Sequence, residues 1–316
     1  MTGETLRFWI TQARSGTVVG EVQGAGSGQF VTQLGGGTCS AALNLQQMKQ
    51  DGVSVDWAAV ERIYDWTRGG LHGLAVTNDR GECLGEWLLM SRGHATDSGL
   101  LPVAGLEWAG YPALRSLNAN HIYEDTSQAT IARSLLEQAF LSFNTGMQMT
   151  IPAWSSSVTR TMSYRSHSAY YSDLLEEISA PDDGFEWHVE VTPTWDGDRL
   201  ASVTRAVVFG APVLARASDL VIDAGEPGTR HGTGIIGGGD DFARYAQSVY
   251  GIGAGEGEKQ VWEGVSDPTL TNAGYVNSTK NVSFPGVTDR PTLQKLAQAE
   301  LTAAQDLRDQ IGRAHV

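Results

Sequence analysis

Glu186, His188 and Glu190 stand two residues apart in the run Phe185-Glu-Trp-His-Val-Glu-Val-Thr192. On a β-strand that spacing puts two carboxylates and an imidazole on one face, a set able to hold a divalent metal. The seven histidines are otherwise isolated, and no His-Glu-x-x-His or Cys-x-x-Cys occurs. The face is therefore expected to be a solvated or interface face rather than a metal centre. Asp182-Asp183 and Asp196-x-Asp198 offer carboxylates for Ca²⁺, but neither sits in a twelve-residue calcium loop, and both are expected to be ordinary turn acids. Gly35-Gly36-Gly37 lacks the Lys-Ser or Lys-Thr of a phosphate cradle and reads as a bulge or hinge between strands. Gly232-Thr-Gly-Ile-Ile-Gly237 matches the dinucleotide fingerprint in spacing alone. It follows Glu226-Pro-Gly-Thr-Arg-His231 instead of a strand, and no apolar helix opens after it, so nucleotide binding is not expected. No Gly-x-Ser-x-Gly is present, and the carboxylate pair of a glycosidase is not readable from spacing. The residues thus point to no catalytic group, no cofactor and no metal.

Composition narrows the class. The 316 residues carry 22 Lys and Arg against 36 Asp and Glu, for a net charge of −14. A chain this acidic is poorly suited to gripping nucleic acid through its phosphates, although it suits a passage that DNA slides through. Charged residues make up 18% and hydrophobic ones 41%, with 38 Gly and nine Trp, a balance that favours a β-rich protein able to bury substantial cores. Cys39 and Cys83 both fall in apparent strands and are expected to be free, buried thiols, with a disulfide left open. Met1-Thr-Gly-Glu-Thr5 has no basic region and no apolar run of ~18 residues follows, so a soluble chain made in a cytoplasm is expected. The sequons at Asn277 and Asn281 matter only for a secreted chain.

The elements that must hold these residues are legible from periodicity. Leu6, Phe8 and Ile10 alternate with Arg7, Trp9 and Thr11, and Arg14-Ser-Gly-Thr17 turns the chain into a return strand. Asp56 caps a short helix with Val60 and Ile63 on its apolar side. Asn78-Asp-Arg-Gly81 joins two more strands as a hairpin. Ile131, Leu135, Leu136, Ala139 and Phe140 recur at helical spacing. Leu174, Leu175 and Ile178 mark a helix that Pro181 stops, after which the period changes to two. There Phe185, Trp187, Val189 and Val191 share one face, and Trp195-Asp-Gly-Asp198 turns into a partner strand over 201–209. Gly251–Gly257 reads as a further hairpin turn, and Asp289-Arg-Pro291 opens a helix faced by Leu293, Leu296, Ala297, Leu301 and Ala304.

Three ordered segments carry a resemblance. The first is the leucine helix followed by Ala180-Pro-Asp-Asp-Gly-Phe-Glu-Trp187 and the hairpin. The second is the opening strand, Ser-Gly turn, strand and glycine-rich link. The third is Gly251-Ile-Gly-Ala-Gly-Glu-Gly257, then Ser266-Asp-Pro-Thr-Leu270, Gly274-Tyr275, Val287-Thr-Asp289 and a helix of Leu and Ala. Together they resemble minor tail proteins of actinobacteriophages, tail-hub proteins of siphoviruses related to the baseplate hub of contractile tails. The resemblance implies an α+β, β-rich fold: a tube-like β-barrel domain over 1–115, with a helix plugged against it, an intervening α+β hub domain over 116–215, and a second tube-like domain over 216–316 ending in a helix. In that family strands follow this helix, whereas the sequence stops at Val316. The second barrel is accordingly expected to be incomplete or closed by another subunit. It further implies a non-enzymatic virion protein, assembled in the host bacterial cytoplasm and placed at the distal tail tip. There a homotrimer closes the tail tube, touches the distal tail protein, the tape measure protein and other tail-tip proteins, and meets DNA only in passage. Strands in 5–45 and 246–286 are the expected sites of pairing between subunits, around an acidic lumen. The alternatives are a tail-tip cell-wall hydrolase and a carbohydrate-binding tail-tip protein.

Overall fold

The computed structural model of the chain describes residues 6–22, 24–45, 56–94, 99–142, 146–181, 183–210, 222–223, 240–242, 245–255 and 259–305. Its first half is β1 (Arg7–Gln12), β2 (Val18–Val22), β3 (Ala25–Phe30), β4 (Thr38–Asn44), α1 (Trp57–Trp66), β5 (His72–Thr77), β6 (Cys83–Arg92) and β7 (Leu100–Glu107). A 3-10 turn over Trp108–Leu114 leads to β8 (His121–Ser127), α2 (Gln128–Leu141), β9 (Thr159–Tyr164) and α3 (Tyr171–Ser179). The long hairpin β10 (Glu186–Asp196) and β11 (Arg199–Gly210) follows. Then come β12 (Ile222–Asp223), β13 (Asp240–Asp241), β14 (Ser248–Ile252), β15 (Trp262–Ser266), α4 (Thr269–Asn272), β16 (Thr279–Ser283) and α5 (Arg290–Gln305).

Nine strands form one antiparallel sheet in the order β12-β3-β4-β7-β6-β5-β1-β2, with β13 paired to the far end of β6. The link between β2 and β3 is only residues 23 and 24. Three Cα steps span at most ~11 Å, so the sheet must curl until these two strands are neighbours. Phe8, Val22, Phe30, Leu43, Leu74, Trp87 and Val103, drawn from seven strands, accordingly meet in one core with Val60 and Ile63 of α1. The helix is held at its start by Asp56, whose side chain accepts from the Ala59 N–H. Where tube-like β-barrel domains are expected, the described residues show no closed barrel. No ladder joins β2 to β3 among the described residues, so the sheet is a curled, open path. The ladder partner of β3 on its outer side is β12, which occupies the edge that closure would need.

The outer face of this sheet is covered too, and that sets the rest of the fold. The hairpin β10–β11 lies across β1, β5 and β2, so Leu200 and Val203 pack on Trp9, Val18 and Ala75. Strand β5 is buried along its whole length as a result. Gly16 in the β1–β2 turn has φ +71°, and a Cβ there would stand 2.1 Å from the Val203 carbonyl oxygen. The Gly16 carbonyl in turn accepts from the Val203 N–H at 2.9 Å. Only glycine permits this approach. The largest core joins α2, α3, the 3-10 turn and the root of the hairpin: Ile131, Leu135, Phe140, Leu174, Ile178, Phe185 and Trp187 with Trp108 and Tyr111. Finally, β15-β14-β16 form a small mixed sheet, with β14 parallel to β16. Val249 and Val265 pack on Ala297, Leu301 and Ala304 of α5.

Candidate functional site

The structure separates the groups that spacing brought together. Glu186 and His188 are half-buried and Glu190 is exposed on β10, whose partners in register are Gly210, Val208 and Ala206. No ligand stands opposite them, and among the described residues no group of three or more His, Cys, Asp or Glu is placed to hold a metal ion. Asp183 forms a two-pronged ion pair with Arg160 of β9, which holds its carboxyl below the usual range. Asp182 lies outside the described residues, as does Gly232–Gly237. The turn acids are structural: Gly197 between Asp196 and Asp198 has φ +59°, and the Asp198 carbonyl accepts from Arg7 at 2.9 Å. The triple glycine closes on a carboxylate of the chain itself. Gly37 N–H and Gln33 N–H donate to Glu107 Oε2 at 2.7 and 3.1 Å, so the amides of this loop already hold an anion. Cys39 on β4 and Cys83 on β6 are free thiols separated by β7; Cys39 is buried as expected and Cys83 only half-buried, and desolvation pushes both up to about 12. Both stay protonated and unreactive at neutral pH.

The strongest polar constellation joins residues that no sequence pattern linked. Glu86 of β6 and Arg205 of β11 are 1% and 2% exposed. Arg205 Nε and Nη2 donate to the two Glu86 carboxylate oxygens at 2.6 and 2.7 Å. Trp108 Nε1 donates to Oε2 at 2.8 Å, and the Thr11 hydroxyl donates to Oε1. Arg205 Nη1 caps the Ala13 carbonyl at 2.8 Å, while the guanidinium lies 4.2 Å over the Trp108 ring. Carboxylate and guanidinium are thus saturated inside the protein, as groups taken out of water must be. The cluster ties β1, β6, the 3-10 turn and β11 at one point. With every carboxylate and guanidinium contact made inside the protein, the cluster acts as a clamp between sheet and hairpin.

Three buried imidazoles give the fold a pH dependence, His72, His167 and His121, the last lowered by burial as well. Burial brings His72 down to about 4, with Arg68 adding repulsion, and burial alone brings His167 to about 4. In the unfolded chain all three protonate near the ordinary value of ~6.5. Between these values the unfolded state binds more protons, so stability falls as pH drops through the window, by up to ~1.4 kcal/mol per pH unit for each histidine. The urea midpoint is expected to hold from pH 8 to 7 and to decline from 6.5 to 5, above the carboxylate range. His72→Gln with His167→Asn should make the decline shallower, and an unchanged wild-type midpoint between pH 7 and 5 refutes the assignment.

No family model matches the sequence, and no curated protein matches it. Among solved structures, the chain is similar to a tail protein from Neisseria meningitidis MC58, at 13% identity and a TM-score of 0.38 over 94% of this chain and 76% of that one. It is also similar to a prophage tail protein from Listeria monocytogenes EGD-e, at 12% identity and a TM-score of 0.36 over 96% and 78%. A third likeness is to the 43 kDa tail protein of prophage MuSo2 from Shewanella oneidensis, at 10% identity and a TM-score of 0.37 over 96% and 79%.

Proposed function

We propose that the chain is a structural protein of a phage tail, a hub-like minor tail protein that forms a homotrimeric ring at the distal tail tip. The observation that carries the proposal is the placement of unpaired strand edges. Among the described residues β12 and β2 end the large sheet, β15 and β16 end the small one, and the two-stranded β8–β9 and β10–β11 ladders have edges of their own. Of these, β2, β15 and β16 lie in 5–45 and 246–286, segments whose order resembles the hub family. Open edges are a liability in a soluble monomer, and pairing between symmetry-related copies covers them. The clamp at Glu86 and Arg205 suits such a role, because it makes sheet and hairpin one rigid body. The large curled sheet is the tube-like unit of this proposal, with the small sheet and α5 as the second unit, and 116–215 between them. The distal tail protein and the tape measure protein meet the two ends of the ring, and DNA passes through a lumen lined by acids in keeping with the net charge of −14. No helix among the described residues is long and apolar enough to cross a membrane. The ring forms in the host cytoplasm, acts in the virion, and performs no catalysis.

Mass photometry of the purified chain is expected to give a species at about three times the 33.8 kDa of one chain. Addition of a charge on the open edge, Val19→Lys in β2, should shift it to the monomer. A wild-type monomer across the micromolar range, or a density map with Lys and Arg lining the lumen, overturns the ring.

A further inference from the structure

A cleft of 390 Å³ opens between the β8–β9 ribbon and the small sheet. Strand parity explains its floor. Val249 and Val265 face α5, so Tyr250, Ile252 and Trp262 point to the opposite side of the sheet. There His167 stacks on Tyr250 with ring centres 3.5 Å apart and tilts against Trp262 at 4.6 Å. His167 is fixed in turn. It holds φ +62°, its N–H donates to the Leu117 carbonyl at 2.8 Å, and its carbonyl accepts from Asn281 Nδ2 at 2.9 Å.

Trp262 is 41% exposed and is the one exposed tryptophan among the described side chains; Trp9, Trp87, Trp108 and Trp187 are core. Ile122, 68% exposed, stands on the far wall. Between the two lie Asn120, Ser163, Arg165 and Gln260, a lining of hydroxyl, amide and guanidinium groups with a single charge and no carboxylate. His167 is 4% exposed and lines the same cleft, and its buried Nδ1 has no hydrogen-bond partner. A rigid, partly exposed aromatic platform bordered by polar groups is the kind of surface on which a small molecule docks.

We propose that this cleft is a saccharide-binding site, with Trp262 as the stacking platform for the C–H face of a pyranose and the amides and hydroxyls as partners for its ring hydroxyls. Sugars present both faces at once, apolar C–H groups and a dense set of donors and acceptors, and an indole flanked by uncharged polar groups matches that pattern. At 390 Å³ the cleft falls near the lower end of the ~300–1,000 Å³ of small-molecule sites, enough for about one or two rings. A phosphorylated ligand fits poorly, since Arg165 is the only cation of the lining. The site is independent of the ring assembly: pairing at the β15 edge uses backbone groups and leaves the face that carries Trp262 open.

The test is saturation-transfer NMR and titration calorimetry on the intact chain with N-acetylglucosamine, glucose, galactose, rhamnose and glucuronate, each as the monosaccharide and a β-linked disaccharide. At least one sugar is expected to bind, with the disaccharide favoured. Trp262→Ala should weaken it at least tenfold and Gln260→Ala a few fold, while both variants keep the wild-type circular dichroism and unfolding midpoint. Three results overturn the proposal: no sugar binds the wild type, the bound sugar is indifferent to both substitutions, or Trp262→Ala changes self-association and nothing else, which makes this face a protein contact.

Discussion

Glu86→Ala is expected to destabilise the fold by about 3–5 kcal/mol, the cost of stranding one member of a buried ion pair. The side chain is 1% exposed, and its loss removes the acceptor of Arg205, the Thr11 hydroxyl and the Trp108 ring N–H together. Arg205, 2% exposed, keeps the Ala13 carbonyl and the face of Trp108, neither of which neutralises it. Arg205→Ala should cost a similar amount by leaving the carboxylate buried and uncompensated. The double variant Glu86→Leu with Arg205→Met replaces the pair by apolar groups of similar length. It should lose far less than the sum of the two truncations, because nothing charged is then left in the interior. Urea unfolding of the four proteins makes the comparison. Amide exchange across 186–210 reports where the damage falls, since the clamp is what seats β11 on the sheet. A Glu86→Ala midpoint within 0.5 kcal/mol of wild type refutes the clamp.

What the sequence made legible follows the range of the forces involved. The helices over 128–141 and 290–305 declare themselves because their apolar residues recur within one turn, and Ile131, Leu135, Phe140, Leu293 and Leu301 are all buried. The β10 alternation is equally local, and it holds through Val191, half-buried between exposed Glu190 and Thr192 where the hairpin leaves the helical core for the outer face of the large sheet. In β1 the same reasoning sends Trp9 and Thr11 outward, yet they are 1% and 0% exposed, because β11, nearly 200 residues on, roofs that face. Two-residue strands such as β12 and β13 are too short to show any period. Glu86 and Arg205 lie 119 positions apart, and a lone Glu and a lone Arg in alternating strands carry no sign that they will meet. The cleft at Trp262 is equally silent, since it exists only where β8, the end of β9 with residues 165–168, and β15 come together.

Trp187→Ala is the second large effect, expected at about 3–5 kcal/mol as for a large aromatic truncated in a packed core. Trp187 is 7% exposed, faces the same side as Phe185 and Val189, and joins the core that gathers Trp108, Leu175 and Phe140. Across the ladder it opposes Phe209, whose ring meets Trp154 and Phe185, so the cost of the truncation is that of its own buried area. Glu190, three residues on, is exposed on the opposite face and opposes Ala206. Its replacement by alanine should move stability by no more than about 0.5 kcal/mol. The contrast tests register rather than composition, because a slip of one residue turns Trp187 to solvent and Glu190 inward. In urea, the wild-type and Glu190→Ala midpoints should coincide while Trp187→Ala melts well below them. Equal shifts for the two variants would mean that β10 presents its other face to the core.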